Sequence, residues 1–480
     1  MSSNFVGPIV VGKITTFQIR GCSNSSIQVM STNNNSSADS NDSLPAKALE
    51  LLGVVGLTDA EGCFRIIINL EEGTTPDFEF VIALHNDDKG CLVKVKSVIE
   101  CGTIYPQKTE YKHHLSVFRH DDIQKIISIF DKFPLNTTKR LNFLMFKAAF
   151  EAYMEYKSNP RAYSTEDRYN LFAYINNLKL QMNSRRTDFT YTADHKITIT
   201  WYWLLKFVEG DGSFCVTTQG ITYYPILSIK QATIDKAVLD SIQQFLLDLP
   251  GADSVSNHNV IVAVRTEKVP KNPDHKQLSS LSCMNVDFLI DVVIPELDKL
   301  PFWSKKYKDY LDWKLIIFLQ NRGWTHCPEA REVIDYIINN MNDGRLTNTK
   351  IPRLPKPINF EAKLVYYLEN SNYKAHPGNK LFIRSSNEYL PAYGKLVIKV
   401  IDQNGALVKR FYRIARAAKE YNVTPRVMAY KIDNKVPLFV HGKPCTVIKT
   451  LRLIDHPQLL YPMSDHIKNL NFKIDKKLIL

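Results

Sequence analysis

With 480 residues, 44% of them hydrophobic, the chain can bury two or three ordinary cores, which excludes an intrinsically disordered protein. Sixty-one Lys and Arg against 49 Asp and Glu give a net charge of +12, a balance that favours a polyanionic partner, nucleic acid first. Charges interrupt every apolar stretch before it reaches membrane-spanning length, so no membrane partner is expected, and the eight scattered cysteines, without a C-x-x-C pair, read as reduced thiols.

Residues 1–46 are read as a leader or disordered segment. Lys13 and Arg20 are the basic residues before the first acid, Asp39, amid many Ser and Asn, which loosely suits a mitochondrial presequence and equally suits a disordered leader.

From Leu49 onward one series of elements occurs twice, which is the signature of an internal repeat. An apolar helix ends in Glu61-Gly62-Cys63-Phe64, and another, starting at Trp201, ends in Asp211-Gly212-Ser213-Phe214. Each runs into an alternating strand. In the first, Phe64, Ile66, Ile68 and Leu70 share the buried face, with Cys63, Arg65, Ile67 and Asn69 opposite; in the second, Phe214 and Val216 face in, and Ser213, Cys215, Thr217 and Gln219 face out. A second strand (78–85; 225–231) leads to a helix opening Lys89-x-x-Leu92 or Lys236-x-x-Leu239. Each copy closes with a strand pair and two helices, the last preceded by Thr138-Lys139-Arg140 or Ser304-Lys305-Lys306. The expected organisation is repeat 1 over 47–158, a polar linker over 159–195, repeat 2 over 196–345, a Pro-rich linker over 346–394 and a small module over 395–480.

The two helix ends carry the chemistry. Each places two carboxylates in its last turn, Asp59 with Glu61 and Glu209 with Asp211, where the helix dipole disfavours them by about 0.3–1 kcal/mol. A local rule broken twice at equivalent positions points to function. Gly62 and Gly212 follow, where a left-handed residue commonly ends a helix. Carboxylates clustered across a pseudo-twofold axis of a basic protein suit an oxygen-ligated divalent cation, Mg²⁺, working on phosphate.

On these residues the chain resembles the LAGLIDADG homing endonuclease family, in its single-chain form with two motifs. The first motif reads Val54-Val55-Gly56-Leu57-Thr58-Asp59-Ala60-Glu61-Gly62 and the second Leu204-Leu205-Lys206-Phe207-Val208-Glu209-Gly210-Asp211-Gly212. The resemblance covers Lys47 to about Asn342. It implies an α+β fold of two pseudo-symmetric αββαββα-like repeats, with the motif helices side by side and the sheets forming a β-saddle over the major groove of double-stranded DNA. It further implies a monomer that hydrolyses one phosphodiester per strand. Glu61 and Asp211 would hold Mg²⁺ with the backbone carbonyls of Ala60 and Gly210, and Lys139 and Lys305 would support the scissile phosphates. The family's genes are often carried by organellar introns, which with the Asn-, Lys-, Ile- and Tyr-rich composition points to the mitochondrion. An RNA maturase that assists splicing of its host intron and a catalytically silent DNA-binding regulator are the alternative functions. The departure is Lys206, which occupies the position of Gly56 in the small-residue stripe Gly53, Gly56 and Ala60; a lysine there must snorkel out or spread the helices.

Groove-facing positions should be polar or basic, so Arg65, Asn69, Glu79, His85, Lys112, Thr217, Gln219 and Lys230 are candidate DNA contacts, against an ordinary solvated strand face for any single one. In the last module, residues 395–435 hold ten Lys and Arg against three acids. Asp402-Gln403-Asn404-Gly405 predicts a type I′ hairpin turn, and Ile414, Ala417, Ala418, Val423 and Val427 are spaced for two short packed helices, the second capped by Thr424-Pro425. This reads as a helix-turn-helix with Arg426, Tyr430 and Lys431 on the groove-entering helix, and it resembles the nuclease-associated modular DNA-binding repeats appended to intron-encoded endonucleases.

Overall fold

The computed structural model describes residues 44–451 except 108–109, 221, 251, 253–260, 273–274, 377–379, 391–395 and 412. The leader expected over 1–46 lies outside the described residues up to position 43. No helix among the described residues is long and apolar enough to cross a membrane.

Repeat 1 runs α1 (Ala46–Glu61), β1 (Gly62–Ile67), β2 (Asp77–His85), α2 (Lys89–Ile99), β3 (Thr103–Gln107), β4 (Lys112–Val117), α3 (His120–Lys132), α4 (Lys139–Ser158) and α5 (Thr165–Leu180). Repeat 2 runs α6 (Trp201–Asp211), β5 (Gly212–Gln219), β6 (Thr222–Ala232), α7 (Lys236–Leu247), β7 (Val262–Thr266), β8 (Leu278–Cys283), an irregular helical stretch over 286–297, α8 (Lys306–Asn321) and α9 (Pro328–Asn339). The two antiparallel sheets have the same order, β1-β2-β4-β3 and β5-β6-β8-β7. One face of each packs on its helices. In repeat 1 that face is aromatic: Phe64 lies 5.3–5.6 Å, centroid to centroid, from Phe80, Phe130, Phe143 and Phe146. Each such fully buried ring contributes about 1.5–3 kcal/mol. Among the described residues, no helix layer covers the other face of either sheet.

The repeats join through their motif helices. The pseudo-symmetry makes position 53 equivalent to 203, 56 to 206 and 60 to 210, and the contacts are reciprocal in that sense. A Cβ on Gly56 would stand 2.2 Å from the carbonyl oxygen of Trp203, one on Gly53 3.1 Å from Cγ of Lys206, and one on Gly210 2.3 Å from Cβ of Ala60. Ala60 against Gly210 therefore marks the axis. Lys206 neither snorkels out nor spreads the helices. It is fully buried, its ammonium paired with Glu209, donating to the Pro301 carbonyl and lying 4.3 Å from the Trp303 ring centroid.

The stretch 159–195 is not the linker its polarity predicts. It holds α5, started by a capping box between Ser164 and Asp167 and anchored by buried Phe172, Ile175 and Leu178. The repeats in fact close alike. Asn183 and Asn342 both take positive φ (54° and 50°), and each carboxamide nitrogen donates to the backbone of its repeat's first strand, at Phe64 (2.8 Å) and Phe214 (2.9 Å). Residues 346–394 are likewise more than a linker: 351–357 carry no helix or strand, as their prolines require, but α10 (Phe360–Glu369) and a three-stranded sheet of β9 (Tyr373–His376), β10 (Lys380–Ile383) and β11 (Glu388–Leu390) follow. Trp324 Nε1 donates to the Tyr367 carbonyl (2.7 Å), tying α10 to repeat 2.

The last module has its own core of Ile398, Val400, Phe411, Ala417, Ala418, Met428, Leu438, Cys445 and Val447. It is built from β12 (Leu396–Ile401), β13 (Leu407–Phe411), α11 (Ile414–Glu420), α12 (Pro425–Asp433), β14 (Leu438–Val440) and β15 (Lys443–Leu451). Two details differ from expectation. The 402–405 turn is not type I′, because Gly405 takes positive φ (83°) while Asn404 does not; the Asp402 carboxylate instead accepts from the backbone N–H of Asn404 and Ala406. On α12 the core residue is Met428, not Val427, which is 41% exposed. Arg410 pairs with Asp291 at 3.2 Å, linking the module to repeat 2.

Candidate active site

Gly62 and Gly212 do not take the left-handed conformation. Their φ values are −77° and −93°, and glycine is required for another reason: a Cβ would stand 2.5 Å from Thr58 Cγ2 or 2.7 Å from Val208 Cγ1. The chain thus turns straight from motif helix into strand.

The four last-turn carboxylates divide into two kinds. Asp59 and Glu209 are 2% and 6% exposed and face away from the helix ends. Asp59 accepts from the N–H groups of Asn136 (2.9 Å) and Thr137 (3.0 Å), the Thr137 hydroxyl (2.6 Å) and, from the other repeat, Trp203 Nε1 (2.8 Å). Glu209 accepts from the N–H groups of Trp303 (2.7 Å) and Ser304 (2.6 Å) and from the Ser304 hydroxyl (2.8 Å). Both acids are misplaced for their own helix dipole and instead hold the two residues just ahead of α4 or α8, where the Thr137 and Ser304 hydroxyls in turn accept from the first helical N–H groups, of Lys139 and Lys306 (both 3.3 Å). That leaves Glu61 and Asp211, both half-buried, as the acids at the helix ends.

Burial pushes the Asp211 carboxyl up to about 6, and the charge of Glu61 adds to the push, while the Gln231 amide and the Lys139 and Lys306 ammoniums oppose it. Gln231 Nε2 donates to Asp211 Oδ2 at 2.6 Å. The equivalent position in repeat 1 is Leu84, so Glu61 has no matching amide from that strand position. Neither Gln231 nor its asymmetry shows in the motif, because the residue lies 20 positions downstream on β6.

Of the two expected basic residues, Lys139 stands where expected and its counterpart in repeat 2 is one position out of register. Lys139 Nζ donates to the carbonyls of Thr58 and Ala60, and the side chain doing the equivalent is Lys306, which donates to the carbonyls of Gly210 and Gly212. Burial lowers the pKa of both ammoniums, against the pull of Asp211 and other nearby carboxylates. Lys305, expected in that role, points elsewhere: its backbone N–H donates to Asp88 (2.8 Å) and its ammonium lies 3.6 Å from Asp87 and 3.5 Å from Asp88. The reason is that Lys305 matches Thr138, whose N–H and hydroxyl are taken by Asp235 (2.7 and 3.1 Å).

The donor set at the helix ends is all oxygen: the carboxylates of Glu61 and Asp211 and the carbonyls of Ala60 and Gly210. It suits a hard divalent cation, whose charge would stabilise the ionised Asp211 against burial and against the added push of Glu61. No group of three or more His, Cys, Asp or Glu placed to hold a metal exists among the described residues, so two carboxylates alone would need further oxygens from carbonyls, water or phosphate.

The uncovered sheet faces carry most of the other candidates. On the first stand Cys63, Arg65, Glu79, His85, Lys112 and His114; on the second Cys215, Thr217, Gln219, Tyr224, Lys230 and Arg265. Arg65, Lys112, Thr217, Gln219 and Lys230 are exposed. Asn69 lies beyond β1 and turns into its own loop, where its carboxamide accepts from Glu71 N at 3.2 Å. His85 is tied to Asn348 (3.0 Å) and to the Asp87 backbone N–H (3.2 Å). On α12, Arg426 and Tyr430 are exposed, whereas the Lys431 ammonium is turned back onto the Pro437 carbonyl (2.8 Å).

Residues 54–150 and 204–317 match the family model described as LAGLIDADG endonuclease, one segment in each repeat. The chain belongs to the LAGLIDADG endonuclease family. Among solved LAGLIDADG structures, the I-GzeII homing endonuclease in complex with its DNA target is similar with a TM-score of 0.51 at 23% identity, over 62% of this chain and 99% of that one. This likeness establishes the two-repeat fold. Among curated proteins, the uncharacterized mitochondrial protein RF1 of Saccharomyces cerevisiae is 24% identical over 395 residues, 79% of this chain and 78% of that protein. A probable intron-encoded endonuclease 3 of Neurospora crassa is 24% identical over 293 residues, 56% of this chain and 50% of that protein, so the chain spans only half of that relative. In LAGLIDADG terms, the eighth residues of the two motifs, Glu61 and Asp211, are those left facing the site, while the sixth residues, Asp59 and Glu209, hold the segments that lead into α4 and α8.

Proposed function

We propose that this LAGLIDADG protein is a site-specific, divalent-metal-dependent DNA endonuclease that acts as a monomer, with Mg²⁺ held by Glu61 and Asp211 and the carbonyls of Ala60 and Gly210. The observation that carries this reading is the meeting of Glu61 and Asp211 at the pseudo-twofold axis, each beside a half-buried lysine. When bound there, such a cation supplies an activated water and stabilises the departing 3′ oxygen. Lys139 and Lys306 place positive charge where two phosphates would approach, and Gln231 orients Asp211. The sheet faces receive the duplex, with Arg65, Lys112, Thr217, Gln219 and Lys230 as the accessible contacts. The module over 395–480 adds Arg426 and Tyr430 as a second contact with DNA. The names of the relatives support a mitochondrial, intron-borne origin. The buried Lys206–Glu209 pair supports this reading, because the lysine sits in the seam without spreading the motif helices.

The test is cleavage of a library of duplexes spanning intron-insertion junctions, in Mg²⁺ and in Ca²⁺. Metal-dependent double-strand cuts, abolished by Asp211→Asn with binding retained, are expected. Binding without cutting by the unsubstituted protein would favour the regulator, and tighter binding to intron RNA than to any duplex would favour the maturase.

A further inference from the structure

We propose that Arg65, held by Glu79 and Ser116, reads a guanine in the half of the target that lies on repeat 1, and that the matching position of repeat 2 carries no such reader. The inference rests on the duplex lying on the open sheet faces. Arg65 stands opposite Glu79 on adjacent strands, and its guanidinium donates to Glu79 Oε2 at 3.2 Å. The other Glu79 oxygen accepts from the Ser116 hydroxyl on β4, so both oxygens are occupied and three strands take part. The Arg65 side chain is 45% accessible and that of Glu79 only 14%.

A carboxylate on a face that meets a polyanion opposes binding, and beside an arginine it weakens any simple phosphate contact. What it supplies is orientation. A guanidinium is a rigid planar fork: with Glu79 and the neighbouring Cys63 thiol fixing its plane, the donors left accessible take the arrangement that recognises O6 and N7 of guanine in the major groove. Glu79 is therefore a positioning residue and not a reader of cytosine. The register assigns Cys215, Ile226 and Ser282 to the positions of Arg65, Glu79 and Ser116 in repeat 2, a set with neither cation nor anion. Arg65 follows Glu61 by four residues of extended chain, roughly 13 Å at about 3.3 Å per residue.

The test is recovery of duplexes bound by the full chain from a randomised library, followed by affinity and salt dependence on the recovered site. The unsubstituted protein is expected to recover a site with a required guanine at one position in the repeat 1 half and no guanine requirement at the mirror position of the other half. Arg65→Ala and the charge-conserving Arg65→Lys should each reduce the preference at that position by about 10- to 100-fold while leaving every other position intact. Glu79→Gln should relax the same position without weakening total affinity. A uniform affinity loss in Arg65→Ala on all sequences, with a shallower salt slope, would make Arg65 a phosphate contact and overturn the proposal. So would a full guanine preference in Arg65→Ala or Glu79→Gln. Recovery of no preferred sequence by the unsubstituted protein would instead sink the site-specific DNA reading on which the proposal rests.

Discussion

Replacing Lys306 by alanine is expected to slow DNA cleavage by roughly 10²-fold or more, because it removes a cation held over the last-turn carbonyls beside Asp211. Lys305→Ala should leave single-turnover cleavage nearly unchanged and lower stability by about 1–2 kcal/mol through loss of its contacts with Asp87 and Asp88. The sequence could not separate the two lysines, since adjacent basic residues at a helix start align equally well either way; only the hydrogen bonds of Thr138 and Lys305 to Asp235 and Asp88 set the register. By contrast, Glu61 and Asp211 were legible because the break with the helix dipole occurs twice at one spacing. The same break misassigned Asp59 and Glu209, whose partners lie 77 and 94 residues away in the chain. Lys206→Met leaves Glu209 buried without its ammonium and should cost about 3 kcal/mol in urea denaturation. Adding Glu209→Gln to that variant should lose less than the sum of the two single changes.

At the scale of elements, close approach at the motif helices admits little adjustment. Gly56→Ala would drive a methyl against the Trp203 carbonyl at 2.2 Å, a backbone atom that cannot swing away. A loss of about 1–3 kcal/mol, read by thermal unfolding, is expected together with a fall in cleavage as the helix ends separate. A second contact between the repeats is the segment after Arg345, where the Thr347 N–H (3.0 Å) and hydroxyl (2.8 Å) donate to Asp87. Burial works to raise the Asp87 carboxyl, but these bonds, with Lys305 and His85, outweigh it and hold it below its ordinary 3.8. The unfolded chain therefore binds the proton more readily. The stabilisation is intact near neutral pH and is lost as pH falls below about 4. Asp87→Asn should flatten that acid limb in pH-dependent unfolding. The apolar periodicity made most of α1 to α4 and α6 to α8 readable, whereas α5 was hidden: three buried residues among many polar ones give almost no stripe, and its capping box is the signal that identifies it.

For the whole molecule, the separate core of the last module makes it removable. Deleting residues 391–480 is expected to leave the unfolding transition of the repeats in place, apart from the Arg410–Asp291 link. DNA affinity should fall, with a shallower dependence on salt because fewer cations meet phosphate. The two repeats are not removable in this way. Across the axis, the backbone carbonyl of Trp203 meets Gly56, and the Lys206 side chain of the second motif fills the space left by Gly53 of the first. Two first-repeat copies paired with each other would bring Gly53 to Gly56 and leave a hole. Two second-repeat copies would bring Trp203 to Lys206 and collide. Divergence after duplication has thus turned a self-complementary seam into a lock with unlike sides, so a chain severed between α5 and α6 should yield two fragments that are insoluble apart, refuse to pair with themselves, and reassemble one to one when produced together.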